Sequence, residues 1–156
     1  MNRREKITLY SNAYDLLTNA LKEFPKEMRD YKPASGKWSI HEIIIHITDS
    51  EANSFCRVRK FIAEPGSTVM AYDQDEWAIK LDYSNQSIYD ALQLFKLLRK
   101  GAFNIIKDEI WNHKIYHPEN GEMTMGDWLS TYSDHIPIHI NQMKRNFADW
   151  QKNKEH

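Results

Sequence analysis

The chain has 156 residues, a length typical of one domain with its own hydrophobic core. Its 21 lysines and arginines nearly balance 22 aspartates and glutamates, so no basic excess indicates a nucleic-acid partner. One cysteine excludes an intrachain disulfide, and no apolar run is long enough to span a bilayer. Because the first residues lack the apolar segment of a secretory signal, we expect a cytoplasmic protein.

Apolar residues recur every three or four positions in the first two long segments, which predicts two helices. Helix one is expected over residues 3–24 and ends before Pro25. Helix two follows Ser39, whose side chain can cap the helix, and Glu42 three residues on completes a capping box. Pro65 and the glycine after it close this helix.

A long connection, residues 64–83, follows helix two and is expected to hold one short helix at 73–79. Connections of this length often form a lid or a pocket wall. Tyr72 and Trp77 could therefore line a pocket, although anchoring the loop on the core is an equally open role for both.

Helix three is predicted from residue 84 or 85 to residue 106, with Gly101 weakening it without ending it. A shorter connection, residues 112–123, carries turn signals at His117-Pro118 and Asn120-Gly121. Helix four then starts at Thr124, with Asp127 as the carboxylate of a second cap, and its apolar stripe continues to residue 150.

Four long helices with no predicted strand indicate an all-α fold, a four-helix bundle that forms a single domain over residues 1–156. The long connection between helices two and three, and the shorter one between helices three and four, exceed those of tight antiparallel bundles. We expect both connections to cover one end of the bundle.

Three histidines are the most informative chemical feature of the chain. His135 and His139 stand four residues apart on the predicted helix four, so their rings share a face, and His46 lies on helix two. Three imidazoles with one open position form the kind of metal site found in enzymes rather than in purely structural sites. The spacing alone leaves two alternatives open, a chance histidine pair and a surface position for His46.

Polar residues flank His46 along the same side of helix two. Asp49 or Glu42 could orient the His46 ring or act as a base, and Arg57, three turns further along, could bind an anionic substrate group. A solvated helix face with ion pairs explains these residues equally well. Cys56 falls away from His46 and is expected to be a buried packing residue rather than a nucleophile.

Pro137 lies between the paired histidines, where it removes one backbone hydrogen bond and predicts a local kink. The carbonyl freed at Ser133 could accept a hydrogen bond from a ring nitrogen of a metal ligand. His113 and His117 fall in the second connection, where a role in a turn is the default interpretation.

The chain resembles the DinB-like superfamily over nearly its whole length and in the order of its elements, and three segments carry the resemblance. Residues 37–51, KWSIHEIIIHITDSE, are similar to its second-helix signature. The stretch from Gly121 through Trp128 to His135, His139 and Gln142 is similar to its fourth-helix signature. Residues 71–78, AYDQDEWA, resemble the connection found in its branch of metal-dependent hydrolases.

This resemblance implies a four-helix bundle with a three-histidine site for a divalent metal ion, nickel or zinc. Carried over by position, the ligands are His46, His135 and His139. The resemblance also implies homodimers. Some members use a low-molecular-weight thiol, bacillithiol or mycothiol, in S-transfer or isomerisation, whereas many others are described as hydrolases.

The sequence therefore predicts a metal-dependent enzyme that acts on a small molecule, with no nucleic-acid or membrane partner. We expect thiol-dependent S-transfer to a small electrophile, with the thiol as cosubstrate, on the strength of the resemblance. Hydrolysis of a small molecule is the first alternative, and a non-catalytic metal-binding or stress-response module is the second.

Overall fold

The computed structural model describes residues 1–154. Its helices are α1 (Arg3–Ser11), α2 (Ala13–Leu21), α3 (Ile40–Ala63), α4 (Gln74–Lys80), α5 (Ile88–Phe103) and α6 (Met125–Lys154), and its strands are β1 (Lys114–His117) and β2 (Gly121–Thr124). Short 3-10 turns cover residues 26–28, 83–85 and 108–110. The predicted four-helix bundle is confirmed, with α1 and α2 together acting as its first helix, followed by α3, α5 and α6.

The central helix of the bundle is α3, which packs against both α5 and α6. Its apolar side chains enter two clusters of the core, with Ile43, Ile44 and Ile47 in one and Val58 and Phe61 in the other. Intervals of three, four and eleven residues between these positions keep them on one side of the helix. The polar side of α3, which carries His46, consequently has a fixed orientation relative to α6.

The first predicted helix is interrupted, so the expectation of one continuous helix over residues 3–24 is wrong. Asn12 ends α1 with backbone angles of φ −89° and ψ 2°, and α2 begins at the next residue and stops at Leu21. Asparagine favours such breaks because its short polar side chain competes with helical hydrogen bonds. The helix does not resume before Pro25, because proline has no N–H to donate and disfavours helical backbone at the residue before it.

Both predicted capping boxes are present. The Ser39 hydroxyl accepts from the Glu42 N–H at 3.2 Å, and the Glu42 carboxylate accepts from the Ser39 N–H at 2.9 Å. The same reciprocal pair joins Thr124 and Asp127 at the start of α6. These caps fix the starting residues of the two helices that carry the histidines.

Helix three of the sequence analysis begins later and ends earlier than expected. Residues 83–85 form a 3-10 turn, and α5 starts only after Ser87, whose hydroxyl accepts from the Asp90 N–H at 3.2 Å. The helix continues through Gly101 and ends at Phe103. A Cβ atom at Gly101 would lie 3.0 Å from the Phe55 ring, so the glycine permits close packing of α5 on α3.

The second connection contains an antiparallel β-hairpin, which corrects the expectation of no strands. Ile115 pairs with Met123 and His117 with Gly121, and along β1 the buried side chains alternate with exposed ones. Gly121 has φ +74°, a left-handed conformation that glycine adopts without steric cost. The predicted turn signals therefore belong to a hairpin that directs the His117 side chain inward.

The segment that follows α3 pairs with the outer side of β1. Tyr116 N–H donates to the Ser67 carbonyl and Val69 N–H donates to the Tyr116 carbonyl, both at 2.9 Å. The predicted short helix further along is α4, capped by the Asp73 side chain. Within residues 1–154, none of the helices combines the length and apolar composition needed to span a membrane.

Candidate metal centre

The three predicted ligands meet between α3 and α6. One potential ligand atom from each of His46, His135 and His139 lies within 4.8 Å of the other two. The Nε2 atoms of His135 and His139 are 3.1 Å apart, and the His46 ring centroid lies 5.5 Å and 4.9 Å from those of His135 and His139. We call these three residues the histidine cluster.

From the sequence, the side of α3 that carries His46 could face either solvent or a cleft. Packing of α3 against α6 buries that side. His46 is only 3% exposed, because the Trp38 ring packs on it with centroids 4.6 Å apart. Trp38 precedes α3 and is held by Asn146 of α6, whose amide donates to the Trp38 carbonyl at 2.8 Å. The entry to α3 thus forms one wall of the histidine cluster.

Burial keeps all three imidazoles neutral. Burial, with a further contribution from His139, lowers the pKa of His46 to about 3. Burial and the two neighbouring rings hold the pKa of His135 well below its usual value, and burial also lowers the pKa of His139. Neutral imidazole is the form that binds metal ions through its unprotonated nitrogen.

The donor set fits a divalent cation. With metal–nitrogen bonds of about 2.0–2.1 Å, two imidazoles of a tetrahedral site have nitrogens about 3.3 Å apart, close to the 3.1 Å between His135 and His139. His46 Nδ1 is buried with no hydrogen-bond partner, although buried polar atoms normally have one. The His46 ring therefore has a nitrogen without a protein partner, and the His135 and His139 nitrogens are at metal-ligand spacing, which fits a shared ion.

Gln142 fixes the orientation of one ring. Its side-chain oxygen lies 2.8 Å from His139 Nδ1 and accepts from it, which leaves the lone pair of His139 Nε2 directed at His135. The acceptor for the His139 ring N–H is therefore Gln142 and not the Ser133 carbonyl, which was expected to be available for such a hydrogen bond. Helix α6 continues through Pro137, so the two histidines stay on one face of an unbroken helix.

Glu42 and Asp49 have other partners. Besides capping α3, Glu42 forms an ion pair with Lys32 at 2.7 Å. Asp49 accepts from the Tyr83 hydroxyl at 2.5 Å, and burial raises the pKa of its carboxyl group. Among the described residues, neither carboxylate makes a hydrogen bond to His46. The capping and loop-anchoring contacts account for both side chains.

Arg57 occupies the far end of the same face of α3. Its Nη1 donates to the Tyr132 hydroxyl at 2.9 Å, and its Nη2 donates to the Met70 carbonyl at 2.9 Å. The Tyr132 ring lies next to His135, with centroids 6.2 Å apart. A single aromatic side chain therefore connects Arg57 to the histidine cluster.

His117 was expected to have only a role in a turn, but the hairpin places it beside Arg57. His117 Nε2 lies 3.1 Å from Arg57 Nη2, and the ring is buried. The only signals in the sequence that could have indicated a hairpin here are the turn residues His117-Pro118 and Asn120-Gly121, and they do not show which way the His117 side chain faces.

A second feature missed from the sequence is a buried ion pair beneath the cluster. Arg99 Nη2 and Glu51 Oε2 are 2.6 Å apart, and both side chains are almost fully buried. Glu51 also accepts from the Tyr10 hydroxyl at 3.0 Å, and Arg99 Nη1 donates to the carbonyls of Tyr10 and Tyr132. Burial raises the pKa of Glu51, and Arg99 opposes this shift.

The connection after α3 covers one side of this region. The Tyr72 and Trp77 rings contact each other with centroids 4.5 Å apart and planes tilted by 44°, and Trp77 packs against the core. Burial raises the pKa of Tyr72, while its hydrogen bond with Ser50 of α3 opposes that shift. Cys56 is exposed, so its expected burial is wrong: it lines an open cavity between α3 and residues 68–70.

Comparison with known proteins is consistent with this geometry. The sequence model of the DinB superfamily matches residues 9–143. A protein of Oceanobacillus iheyensis named "Putative metal-dependent hydrolase" is 30% identical over 128 residues, covering 80% of this chain and 74% of its own. A Bacillus cereus protein with the same name is 25% identical over 135 residues, covering 83% of this chain and 78% of its own.

Among solved structures, YfiT from Bacillus subtilis superposes with a TM-score of 0.83 at 20% identity, covering 94% of this chain and 87% of that one. It is described as "a probable metal-dependent hydrolase with an unusual four-helix bundle topology", and the likeness establishes the shared fold. The class of protein is thus a helical bundle with three convergent histidines. The chain belongs to the DinB superfamily.

Proposed function

We propose that the protein is a metal-dependent enzyme in which His46, His135 and His139 hold a divalent cation, nickel or zinc. The observation that carries the proposal is the convergence of three neutral imidazoles, with His46 and His139 buried and His135 half-buried, and with ligand atoms within 4.8 Å of one another. Three imidazoles leave the full charge of the ion uncompensated and at least one coordination position free. Selection between nickel and zinc depends on geometry and availability, because imidazole suits both ions.

A divalent ion bound there would supply Lewis acidity, which lowers the pKa of a water or thiol ligand and polarises a substrate carbonyl. The residues of this chain supply the setting. Gln142 holds the His139 ring in the tautomer that presents Nε2, and Trp38 shields His46 from water. Exclusion of water strengthens the electrostatic interactions inside the site.

For the reaction we propose transfer of a low-molecular-weight thiol to a small electrophile. The sulfur–carbon bond forms while the bond from that carbon to its leaving group breaks, and the thiol proton passes to solvent. This chemistry needs no carboxylate base beside the metal. The carboxylates of α3 near the site all bond to other side chains, and thiol transfer is compatible with this because it does not require a free carboxylate. They are Glu42, Asp49 and Glu51.

The second candidate is hydrolysis of a small molecule, which the names of the relatives favour. A water acidified at the same position would be the nucleophile, and the substrate carbonyl or phosphoryl group would be its target. A non-catalytic metal-binding or stress-response role is the third candidate. It keeps the histidine cluster and predicts no turnover of either kind.

The proposal is tested by two assays on purified protein loaded with nickel or zinc. One follows conjugation of a low-molecular-weight thiol to an electrophile, and the other follows hydrolysis of ester and amide panels. We expect thiol conjugation that a chelator abolishes and that His135→Ala removes. His41→Ala is the matched control, because His41 also lies on α3 but bonds to Asp30 and the Gln86 carbonyl.

Chelator-sensitive hydrolysis without thiol conjugation would replace the first candidate by the second. Activity that persists after chelation, or in His135→Ala, would reject metal catalysis at the histidine cluster. A protein that binds the metal but shows neither activity would support the non-catalytic role.

A further inference from the structure

We propose that Arg57 and His117 form a binding site for a carboxylate group, and that this group belongs to the substrate. The first part stands on the geometry around these two residues. The second part rests on the proposed function, because it assumes that a substrate reacts at the histidine cluster.

Both ring nitrogens of His117 face hydrogen-bond donors. The backbone N–H of Glu119 points at Nδ1 at 3.2 Å, and the guanidinium Nη2 of Arg57 lies 3.1 Å from Nε2. A neutral imidazole has one N–H and one acceptor nitrogen, so it can accept only one of these two hydrogen bonds. The other contact brings two N–H groups together.

His117 cannot escape this conflict by ionising. An imidazolium ring would carry N–H groups on both nitrogens and would face a donor on each side. Burial and the neighbouring Arg57 also lower the pKa of His117, which keeps the ring neutral. When Nδ1 accepts from the Glu119 N–H, the Nε2–H of His117 points towards Nη2 of Arg57. Two donors then face each other, and no acceptor joins them.

Arg57 itself has an unsatisfied donor. Its Nη1 is engaged by Tyr132 and its Nη2 by the Met70 carbonyl, but its Nε is buried with no partner. Nε and Nη2 lie on one edge of the guanidinium, the edge that binds a carboxylate through two parallel hydrogen bonds. A carboxylate there would accept from Arg57 and from the His117 Nε2–H.

The charge of the site favours a carboxylate over a phosphate dianion. Arg57 supplies one positive charge and His117 none. Lys60, one turn further along α3, pairs with Glu64. One guanidinium edge matches the charge and the planar shape of a single carboxylate.

The position suits a substrate that reacts at the histidine cluster. His46 and Arg57 are eleven residues apart on α3, three helical turns, and therefore lie on the same face. Arg57 lines a cavity of about 380 Å³, together with Asn53, Thr68 and Met70. Tyr132 lies between Arg57 and His135. A carboxylate bound at Arg57 would therefore be separated from His135 by one aromatic side chain.

The binding site is tested by NMR on the metal-free full-length protein. The Arg57 Nε–H signal and the His117 ring nitrogens are followed while acetate, succinate, phosphate or chloride is added at constant ionic strength. We expect saturable shifts of both residues with acetate and succinate, weaker shifts with phosphate, and none with chloride. Long-range ring spectra should show the Nε2–H tautomer of His117.

Variants separate recognition from folding. Arg57→Lys keeps the charge but not the two-pronged edge, so succinate should bind roughly 10- to 100-fold more weakly. Arg59→Lys is the matched control, because Arg59 stacks on Phe55 and should leave binding unchanged. An Nδ1–H tautomer without saturable shifts would overturn the proposal, as would equal responses to chloride and succinate.

Failure here and failure of the metal proposal give different results. Carboxylate binding in metal-free protein does not depend on the histidine cluster, and metal content does not depend on Arg57. If both proposals hold, Arg57→Lys raises KM for a carboxylate-bearing substrate with little change in kcat. It leaves KM unchanged for the uncharged methyl ester, and a KM raised equally for both would assign Arg57 a structural role only.

Discussion

At the scale of single residues, the histidine cluster is defined by burial as much as by spacing. The four-residue interval between His135 and His139 indicated a shared face, and the structure brings their Nε2 atoms to 3.1 Å. The burial of His46 could not be predicted in the same way. A helical wheel shows that His46 lies on a polar stripe, but not that α6 and Trp38 cover it.

The neutral imidazoles predict how the metal-free protein responds to acid. Because the pKa of His46 is about 3 in the folded protein and about 6.5 in an unfolded chain, the unfolded state binds more protons below pH 6.5. The free energy of unfolding should be fully maintained above about pH 6.5 and should fall as pH drops towards 3. The slope should approach about 1.4 kcal/mol per pH unit for each proton.

Urea unfolding between about pH 6.5 and 5 measures this slope before most carboxylates titrate. The His46→Phe variant lacks one of the three titrating rings and should show a shallower dependence. Stability that stays constant over this interval in the parent protein would contradict the account of the three imidazoles as neutral in the folded state.

Gln142 is expected to control metal affinity without touching the metal. Gln142→Ala removes the acceptor for His139 Nδ1, and loss of such supporting contacts typically lowers affinity about 10- to 100-fold. Competition with a chromogenic chelator measures the change. Gln142→Glu keeps an acceptor in place and should retain most of the affinity. Equal affinity in the alanine variant and the parent would show that the ring is oriented by other contacts.

At the scale of elements, local chemistry was predictable where a single residue pair determines it. Ser39 with Glu42 and Thr124 with Asp127 form the capping boxes that the sequence indicated. The break at Asn12 was not predictable from periodicity, because the apolar spacing continues across it.

The hairpin was missed because it is too short for a clear pattern. Its strands cover four residues each, and the pairing that stabilises β1 comes partly from residues 67–69, far away in the sequence. Only the turn signals at His117-Pro118 and Asn120-Gly121 were visible. The position of His117 beside Arg57 follows from that long-range pairing.

Gly121 is expected to be necessary for the hairpin. Gly121→Ala places a side chain at φ +74° and should destabilise the protein by about 1–2 kcal/mol. Urea unfolding gives the global loss, and hydrogen exchange at Ile115 reports the local loss. Gly126→Ala is the matched control: a Cβ there meets only the Thr124 hydroxyl at 3.6 Å, within a helix that alanine favours. Equal stabilities of the two variants would contradict the role of the turn.

At the scale of the whole molecule, one buried ion pair connects the four helices of the bundle. Arg99 of α5 contacts Glu51 of α3 and the backbone carbonyls of Tyr10 in α1 and Tyr132 in α6. The sequence could not show this, because the partners lie between 33 and 89 residues apart along the chain. The predicted homodimer depends on surfaces beyond a single chain and stays a prediction.

Removing one partner of this pair should be costly. Arg99→Met leaves the Glu51 carboxylate buried without its cation and should destabilise the protein by about 3–5 kcal/mol. The double variant Arg99→Met with Glu51→Gln removes the charge and keeps an acceptor for Tyr10, so it should lose less. Chemical denaturation compares the two. A double variant that is less stable than the single one would show that the charge is not the source of the loss.

The central claim is that three distant histidines share one metal ion, and metal content per chain tests it most directly. Protein purified without added metal and dialysed against metal-free buffer is analysed by inductively coupled plasma mass spectrometry. We expect about one nickel or zinc ion per chain, a small fraction of that in His46→Ala, and an unchanged amount in His41→Ala. The account would be contradicted if the parent protein bound no metal after incubation with nickel or zinc. Full metal occupancy in His46→Ala would contradict it as well.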